Sequence, residues 1–299
     1  MRSGNRSSVS ARLGTVLIVG TGLIGGSFAL ALKAAGGAER LIGIDRDPGN
    51  LDRACALGIV DQAASFAAAQ SADLVLIAVP VGSFGAVLEQ LAPHLGDKTV
   101  LTDVGSTKTD AVEQARKLLG AKFPSFVGGH PISGSDASGA DAAFATLFRG
   151  RRVVLTPVTE TSTTAGDIVA AAWQLCGARV ERMDPREHDG ILALVSHLPH
   201  VLAYALVERV AQDADPGRLL ENAAGAFRDV TRIAASSPEL WRDVCLANRG
   251  ALLKEIERYR DTLDQIAGYI RCGNGSDLDR LFARARELRQ SWQVRGAAE

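Results

Sequence analysis

The sequence predicts an α/β fold: a doubly wound, mainly parallel sheet followed by an all-helical C-terminal half. Three observations predict it. From Thr15 onward, short β-branched runs alternate with alanine-rich helical stretches, the pattern of βα units that feed a parallel sheet. Most of those runs are apolar throughout, as strands covered on both faces must be. After Met183 the strand signals stop, and helical patterns continue to the end of the chain.

Residues 1–14 carry arginines and serines but no apolar core, so they read as a short disordered leader and not as a secretory signal. The first strand, 16–20, runs into Gly20-Thr21-Gly22-Leu23-Ile24-Gly25 and then a helix over 26–35. This is the G-x-G-x-x-G fingerprint in its strand, turn and helix setting, which marks a Rossmann-type dinucleotide site. Gly20 permits the tight turn, Gly22 lets the backbone approach a pyrophosphate, and Gly25 lets the helix pack closely on the strand. The helix start at Leu23 and Ile24 offers unpaired N–H groups to phosphate oxygens. An ordinary tight turn is the alternative for a lone glycine motif, but strand, glycines, helix and a following acid together argue against it.

The second strand, 41–45, ends on Asp45, twenty residues after Gly25, where a carboxylate accepts the ribose hydroxyls of an adenosine. That favours NAD over NADP. Arg46 follows at once and offers a partner for a 2′-phosphate, so NADP stays open. The strand over 73–79 closes on Val79 and Pro80 at the carboxyl edge of the sheet, where both are expected to touch the cofactor. Strands 99–103 and 126–128 run into Thr102-Asp103-Val104-Gly105-Ser106-Thr107-Lys108 and Gly128-Gly129-His130-Pro131-Ile132-Ser133-Gly134 at the same edge. Ser106 and His130 are therefore expected to meet near the nicotinamide. A hydroxyl beside an imidazole fixes its tautomer, and the imidazole takes or polarises the proton of a substrate alcohol. A His130 that merely satisfies a loop backbone is the competing reading. Strands 152–155 and 179–183 complete the sheet.

Asp184-Pro185-Arg186-Glu187 supplies an N-cap acceptor, a proline at the first helical position and a glutamate three residues after the cap, so a helix starts there. We place the boundary at 183, with a dinucleotide-binding domain over 15–183 and a helical substrate and dimerisation domain over 184–299. Helical runs are expected over 188–211, 216–226, 238–269 and 277–292. The first contains Ser196-His197-Leu198-Pro199-His200, where Pro199 kinks the helix and frees a carbonyl one turn earlier. His197 and His200 lie on similar faces. Neither has a Cys or an acid at ligand spacing, and a zinc site needs a third protein ligand, so no metal is expected. Arg228 and Arg232 stand four apart. Arg232 sits beside Ile233 and Ala234, a setting suited to gripping a carboxylate, whereas Arg228 reads as a surface partner of Asp229. Helices apolar on most sides point to a homodimer through this half.

Composition excludes several classes. A net charge of −1, with 22% charged and 46% hydrophobic residues, fits neither a nucleic-acid surface nor a membrane protein. The four cysteines show no paired framework and read as free thiols in a reducing cytoplasm. The partners expected are a small molecule and a second copy.

Taken together, GTGLIGGS (20–27), DVGSTK (103–108), GGHPISGS (128–135), SHLPH (196–200) and FRDVTRIA (227–234) resemble, in order and spacing, the motifs of the prephenate and arogenate dehydrogenases of tyrosine biosynthesis. The resemblance covers nearly the whole chain after residue 14. It implies oxidative decarboxylation of prephenate or arogenate with a nicotinamide cofactor, giving 4-hydroxyphenylpyruvate or tyrosine, carbon dioxide and NAD(P)H. By the same resemblance His130 deprotonates the ring hydroxyl, Ser106 orients His130 and the nicotinamide, and Arg232 holds a substrate carboxylate. Ser196, His200 and Ser135 line the pocket, while the role of His197, in the pocket or in the structure, stays open. Asp136 either pairs with the ammonium of arogenate, and so selects the substrate, or caps a helix over 137–148.

Two other readings compete. A β-hydroxyacid dehydrogenase also joins a Rossmann domain to a helical one, but its catalytic lysine should come early in the helices. Here the only lysine after residue 150 is Lys254. A non-enzymatic nucleotide-sensing protein would scatter Ser106, His130, His200 and Arg232 rather than gather them.

Overall fold

The computed structural model describes residues 12–133 and 137–296. Residues 1–11, most of the leader read from the sequence, lie outside the described residues, as do Ser135 and Asp136.

Strands and helices alternate as expected, over β1 (Leu13–Val19), α1 (Leu23–Ala34), β2 (Ala38–Ile44), α2 (Pro48–Ala56), β3 (Gln62–Ala63), β4 (Leu74–Ile77), α3 (Phe84–Leu91), β5 (Val100–Asp103), α4 (Thr109–Leu119), β6 (Phe126–Pro131), β7 (Arg152–Thr156), α5 (Thr163–Leu175) and β8 (Arg179–Arg182). They form one eight-stranded sheet in the order β3-β2-β1-β4-β5-β6-β7-β8, in which only the β6–β7 pairing is antiparallel. Order reverses between β1 and β4, so the carboxyl ends of those strands open the crevice in which such sheets bind ligands. Each central strand splits its side chains between two cores. Val16, Ile18, Leu74 and Leu76 pack with Phe28 and Trp173 on one face, and Leu17, Val19, Val75 and Ile77 pack with Leu88 and Val112 on the other. Trp173 is fully buried edge-on to Phe28 and Phe148, with ring centroids 4.7 and 5.0 Å away.

Two features of the sheet depart from the expectation. Strand β3 is two residues long, too short for any periodicity to reveal. Strand β6 continues past Gly128, so His130 is a strand residue, opposite Val154, and not a loop residue. Two glycines and a proline hide that extension in the sequence, while the backbone pairing with β7 sustains it.

The C-terminal half is helical: α6 (Pro185–Leu192), α7 (Leu198–Ala211), α8 (Pro216–Glu221), α9 (Gly225–Thr231), α10 (Pro238–Ala247), α11 (Arg249–Arg271) and α12 (Gly275–Gly296). Asp184 caps α6 through the N–H groups of Arg186 and Glu187. The run expected over 188–211 is divided by a π-turn at Ala193–His197, ahead of Pro199, which has no N–H to give. The run expected over 238–269 is divided at Asn248, and the run over 216–226 at residues 222–224. Pro185–Ala211 is long and apolar enough, by length and composition, to cross a membrane; it also carries the buried polar residues His188 and Asp189.

By contacts the chain divides into residues 1–249 and 250–299. In the second unit α11 and α12 carry Leu253, Leu263, Ile270, Phe282, Leu288 and Trp292 exposed. Short-range ion pairs such as Glu255–Arg258 and Asp277–Arg280 stud its polar faces.

Candidate active site

The glycine loop has the geometry its pattern predicts. Gly20 adopts φ +95°, and a Cβ there would sit 2.2 Å from the Ala78 carbonyl oxygen. A Cβ on Gly25 would lie 2.0 Å from the Gly20 oxygen, so both positions require glycine. Gly22 differs, because a Cβ there meets nothing closer than the Gly139 nitrogen at 4.0 Å. No side chain caps α1, so the N–H groups of Leu23 and Ile24 face that open space.

Asp45, half-buried, accepts hydrogen bonds from the Thr21 N–H (2.8 Å), the Thr21 hydroxyl (2.9 Å), Asn50 Nδ2 (2.9 Å) and the Asp47 N–H (3.0 Å). Burial raises its pKa, but these donors outweigh burial and hold the carboxyl below its ordinary value. Arg46 is exposed, and Val79 and Pro80 are half-buried. After His130 the chain folds back over this cradle: Ala140 N–H donates to Asn50 Oδ1, Phe144 N–H donates to Ser27 Oγ, and Arg53 pairs with Asp141. An uncapped helix start and an ionised acid at the neighbouring strand end are the donor and acceptor that a dinucleotide requires, so the residues present fit one.

His130, 9% exposed, stands at the carboxyl edge of β6. Burial, with the adjacent His188 and Lys108, holds its pKa well below 6.5. Its Nδ1 lies 2.8 Å from His188 Nε2. Beneath it Lys108 is wholly buried; its Nζ pairs with Asp103 and donates to the Gly129 carbonyl at 2.7 Å. Ser106, expected beside His130 as its orienting partner, is half-buried and makes no hydrogen bond with any described residue. At Nδ1 the partner of His130 is His188, which α6 brings against it.

On the helical side His200 stacks on Trp241 at 3.5 Å and donates from Nδ1 to the Ser196 carbonyl (2.9 Å), which leaves Nε2 as an acceptor. Burial lowers its pKa, the Ser196 carbonyl raises it, and the charge of Arg232 lowers it further. Arg232 thus lies within electrostatic reach of His200. It is exposed and has no ion-pair partner among the described residues. Arg228, expected to pair with Asp229, forms no such pair; both side chains are exposed. His197 is 1% exposed, accepts or donates at Nδ1 with Asn248 (3.1 Å), and has no partner at Nε2 among the described residues. Burial presses its pKa down to about 4.

His130 feels the charge of His197, His197 that of His200, and His200 that of Arg232, so these side chains form one electrostatic neighbourhood. Four of the chain's five histidines belong to it. The sequence reading passed over His188, Asp189, Trp241 and Asn248. A His-Asp pair in the first turns of a helix looks like a solvated face, and only the concentration of histidines hinted otherwise. Among the described residues no group of three His, Cys, Asp or Glu side chains has metal-holding geometry.

A groove of about 1140 Å³ opens at the opposite, amino edge of the sheet. Its polar groups are largely engaged with backbone: Arg12 with Ala38, Lys122 with Leu95, and Asp73 with Gly14 and Thr15.

The sequence matches the family described as prephenate dehydrogenase, nucleotide-binding domain, over residues 28–182, and that described as prephenate dehydrogenase, dimerization domain, over residues 184–284. It is 37% identical to a prephenate dehydrogenase of Bacillus subtilis, over 94% of this chain and 76% of the relative. It is 36% identical to a cyclohexadienyl dehydrogenase of Zymomonas mobilis, over 92% of this chain and 94% of the relative. Among solved structures it resembles Aquifex aeolicus prephenate dehydrogenase in complex with hydroxyphenyl propionate and NAD+, at 34% identity and TM-score 0.89, covering 94% of this chain and 99% of that one. It also resembles Synechocystis arogenate dehydrogenase, at 33% identity and TM-score 0.80, covering 93% and 99%.

Proposed function

This chain belongs to the prephenate and arogenate dehydrogenase family, and from that premise we propose which of its residues carry the reaction. The chain is an NAD-dependent dehydrogenase of prephenate or arogenate, an oxidoreductase of tyrosine biosynthesis. His130 is the general base that takes the proton of the ring hydroxyl. The observation that supports it most is a buried imidazole, neutral at physiological pH, at the strand end beside the glycine cradle. NAD supplies the hydride acceptor. Gly20, Gly22, Leu23, Ile24 and Gly25 cradle its phosphates, Asp45 accepts its ribose hydroxyls, and Val79 and Pro80 line the far side. The carboxylate of Asp45, already ionised and fixed by four donors, would repel a 2′-phosphate, which favours NAD over NADP.

Arg232 holds a substrate carboxylate beside His200, with Ser196 and Ser135 in the same pocket and Ser106 toward the nicotinamide. Asp136 sets the choice between the ammonium of arogenate and the keto-acid end of prephenate; unchanged relative kcat/KM for the two substrates in Asp136→Asn would remove that role. Residues 15–183 serve the cofactor, residues 184–299 serve the substrate, and the uncovered apolar faces of Ile191, Leu194, Val195, Leu253 and Phe282 meet a second copy. The compartment is the cytoplasm.

The test follows NADH absorbance with prephenate and arogenate, each with NAD and NADP, for the wild-type protein and His130→Asn. Turnover by the wild type and its loss in the variant are expected. Full activity in His130→Asn would remove the base assignment, while silence of the wild type with all four pairs would overturn the substrate assignment.

A further inference from the structure

Resting on the assignment of His130 as the base, we propose that His188 and Asp189 are positioning residues that fix which nitrogen of His130 bears the proton. The three groups form a buried row. His130 Nδ1 lies 2.8 Å from His188 Nε2, and His188 Nδ1 lies 2.8 Å from Asp189 Oδ1. His188 is fully buried and Asp189 is 3% exposed.

The far end of the row is fixed by backbone. Asp189 Oδ1 accepts the N–H of Lys108 and Oδ2 that of Thr109, each at 2.8 Å, at the N-cap and the first residue of α4. A helix N-terminus favours an anion, and despite burial Asp189 is held below the ordinary carboxylate range by the His188 and Thr109 side chains and these N–H groups. An ionised carboxylate only accepts, so His188 Nδ1 must donate. A neutral imidazole then presents a lone pair at Nε2, so His130 Nδ1 must donate to it. That leaves His130 Nε2 as the bare nitrogen, the only one able to take a substrate proton. The order of donors holds for an ionised Asp189 and a neutral His188; a His188 imidazolium would donate from both nitrogens and place the proton of His130 on Nε2.

The same row stabilises the charge that the reaction creates. As the hydroxyl O–H bond breaks and the N–H bond forms at His130 Nε2, the imidazolium donates through Nδ1 to His188, which Asp189 backs. The titratable and charged neighbours of His130 are His188, Lys108, His197 and Asp189, and Lys108 is matched by Asp103. Among the described neighbours only Asp189 is an anion not already paired with a cation. Local structure delivers the row: the Asp184 cap starts α6 so that His188 and Asp189 fall on its second turn, and Asn248 Nδ2 donates to the Asp189 carbonyl at 2.8 Å. A purely structural reading makes the row a clamp between α6 and α4, which predicts lost stability alone.

Nitrogen NMR of protein labelled at histidine nitrogens separates the two readings, with His130→Asn assigning the signals. The wild-type His130 is expected as the Nδ1–H tautomer with a bare Nε2; an Nε2–H signal would overturn the proposal without any further variant. In Asp189→Asn the amide oxygen at the Oδ1 position still accepts from the Lys108 N–H and from His188 Nδ1, but the charge that backs the row is gone. The tautomer of His130 should persist while the imidazolium formed in the reaction loses its anion. The expected loss is about 10²-fold or more in kcat. KM and NAD affinity should change less than about threefold, since the proposal places neither ligand against His188 or Asp189. His188→Phe, which keeps a ring and removes both nitrogens, should show the same split. If the wild type turns over, His130→Asn is inactive and both variants keep wild-type kcat, the relay is wrong and the base assignment stands. If His130→Asn stays active, the base assignment itself has failed.

Discussion

Replacing Lys108 by Met removes a cation buried beneath His130, and the structure sets the size of the effect. Lys108 is wholly inaccessible; its Nζ pairs with Asp103 and donates to the Gly129 carbonyl. Met fills the stem's volume but supplies no donor. Asp103, whose side chain is 3% exposed, is then left with two N–H donors, from Gly105 at 2.8 Å and Gly129 at 3.0 Å, and no counter-charge. Leaving a buried charge uncompensated costs about 3–5 kcal/mol. Urea denaturation at neutral pH reads this directly, with an unchanged slope required for the comparison. The double variant Asp103→Asn with Lys108→Met leaves no charge behind, so it should be more stable than the sum of the single losses by about 2 kcal/mol or more. A loss under about 1 kcal/mol in Lys108→Met, or strict additivity in the double variant, would refute the pair as a stabilising unit. The change also reaches the chemistry. Lys108 helps to hold His130 neutral, so its removal should move the acid limb of kcat to higher pH.

Three further outcomes are expected. Gly22→Ala should leave the fold intact, since its Cβ meets only the Gly139 nitrogen at 4.0 Å, yet weaken NAD binding by tenfold or more, roughly 1.4 kcal/mol; calorimetry showing unchanged affinity would move the pyrophosphate elsewhere. His197, with a folded value of about 4 against an ordinary 6.5, binds more protons when unfolded, so stability rises with pH across that window and is lost as pH falls from 6.5 toward 4. That loss should be about 3 kcal/mol larger in the wild type than in His197→Asn when urea midpoints are compared across pH. Arg232→Gln should chiefly raise KM while His130→Asn chiefly lowers kcat, and equal loss of both parameters in both variants would contradict the division of roles.

Much of the cofactor half was legible because its constraints are local. A glycine that must adopt φ +95°, a second that must clear the Gly20 carbonyl, and an acid at a strand end are fixed by their neighbours in the chain. His130 was legible as a polar group at a strand end, though not as a strand residue, since the pairing that extends β6 comes from β7, more than twenty residues later. The row behind it was hidden for the same reason. His188 and Asp189 become buried only when α6 meets the start of α4, some eighty residues earlier in the chain, and nothing in their own helix betrays that contact. Helix breaks followed this pattern. Pro199 announced the disturbance at Ala193–His197, whereas Asn248 ends α10 with a side chain engaged by Asp189 and His197, both distant in sequence.

The stacking of Trp241 on His200 gives this molecule an optical handle. Its three tryptophans occupy distinct surroundings: Trp173 sealed between Phe28 and Phe148, Trp292 in solvent, and Trp241 face to face with an imidazole. A protonated imidazole quenches indole emission where a neutral one does so weakly, and quenching demands contact. In a protein reduced to Trp241 by Trp173→Phe and Trp292→Phe, emission would therefore follow the titration of the stacked His200, with the edge-on His197 at 6.1 Å adding its own step at lower pH, near 4. A carboxylate brought to Arg232 would shift that titration upward, so ligand arrival would be visible as a change of colour and brightness before any turnover occurs.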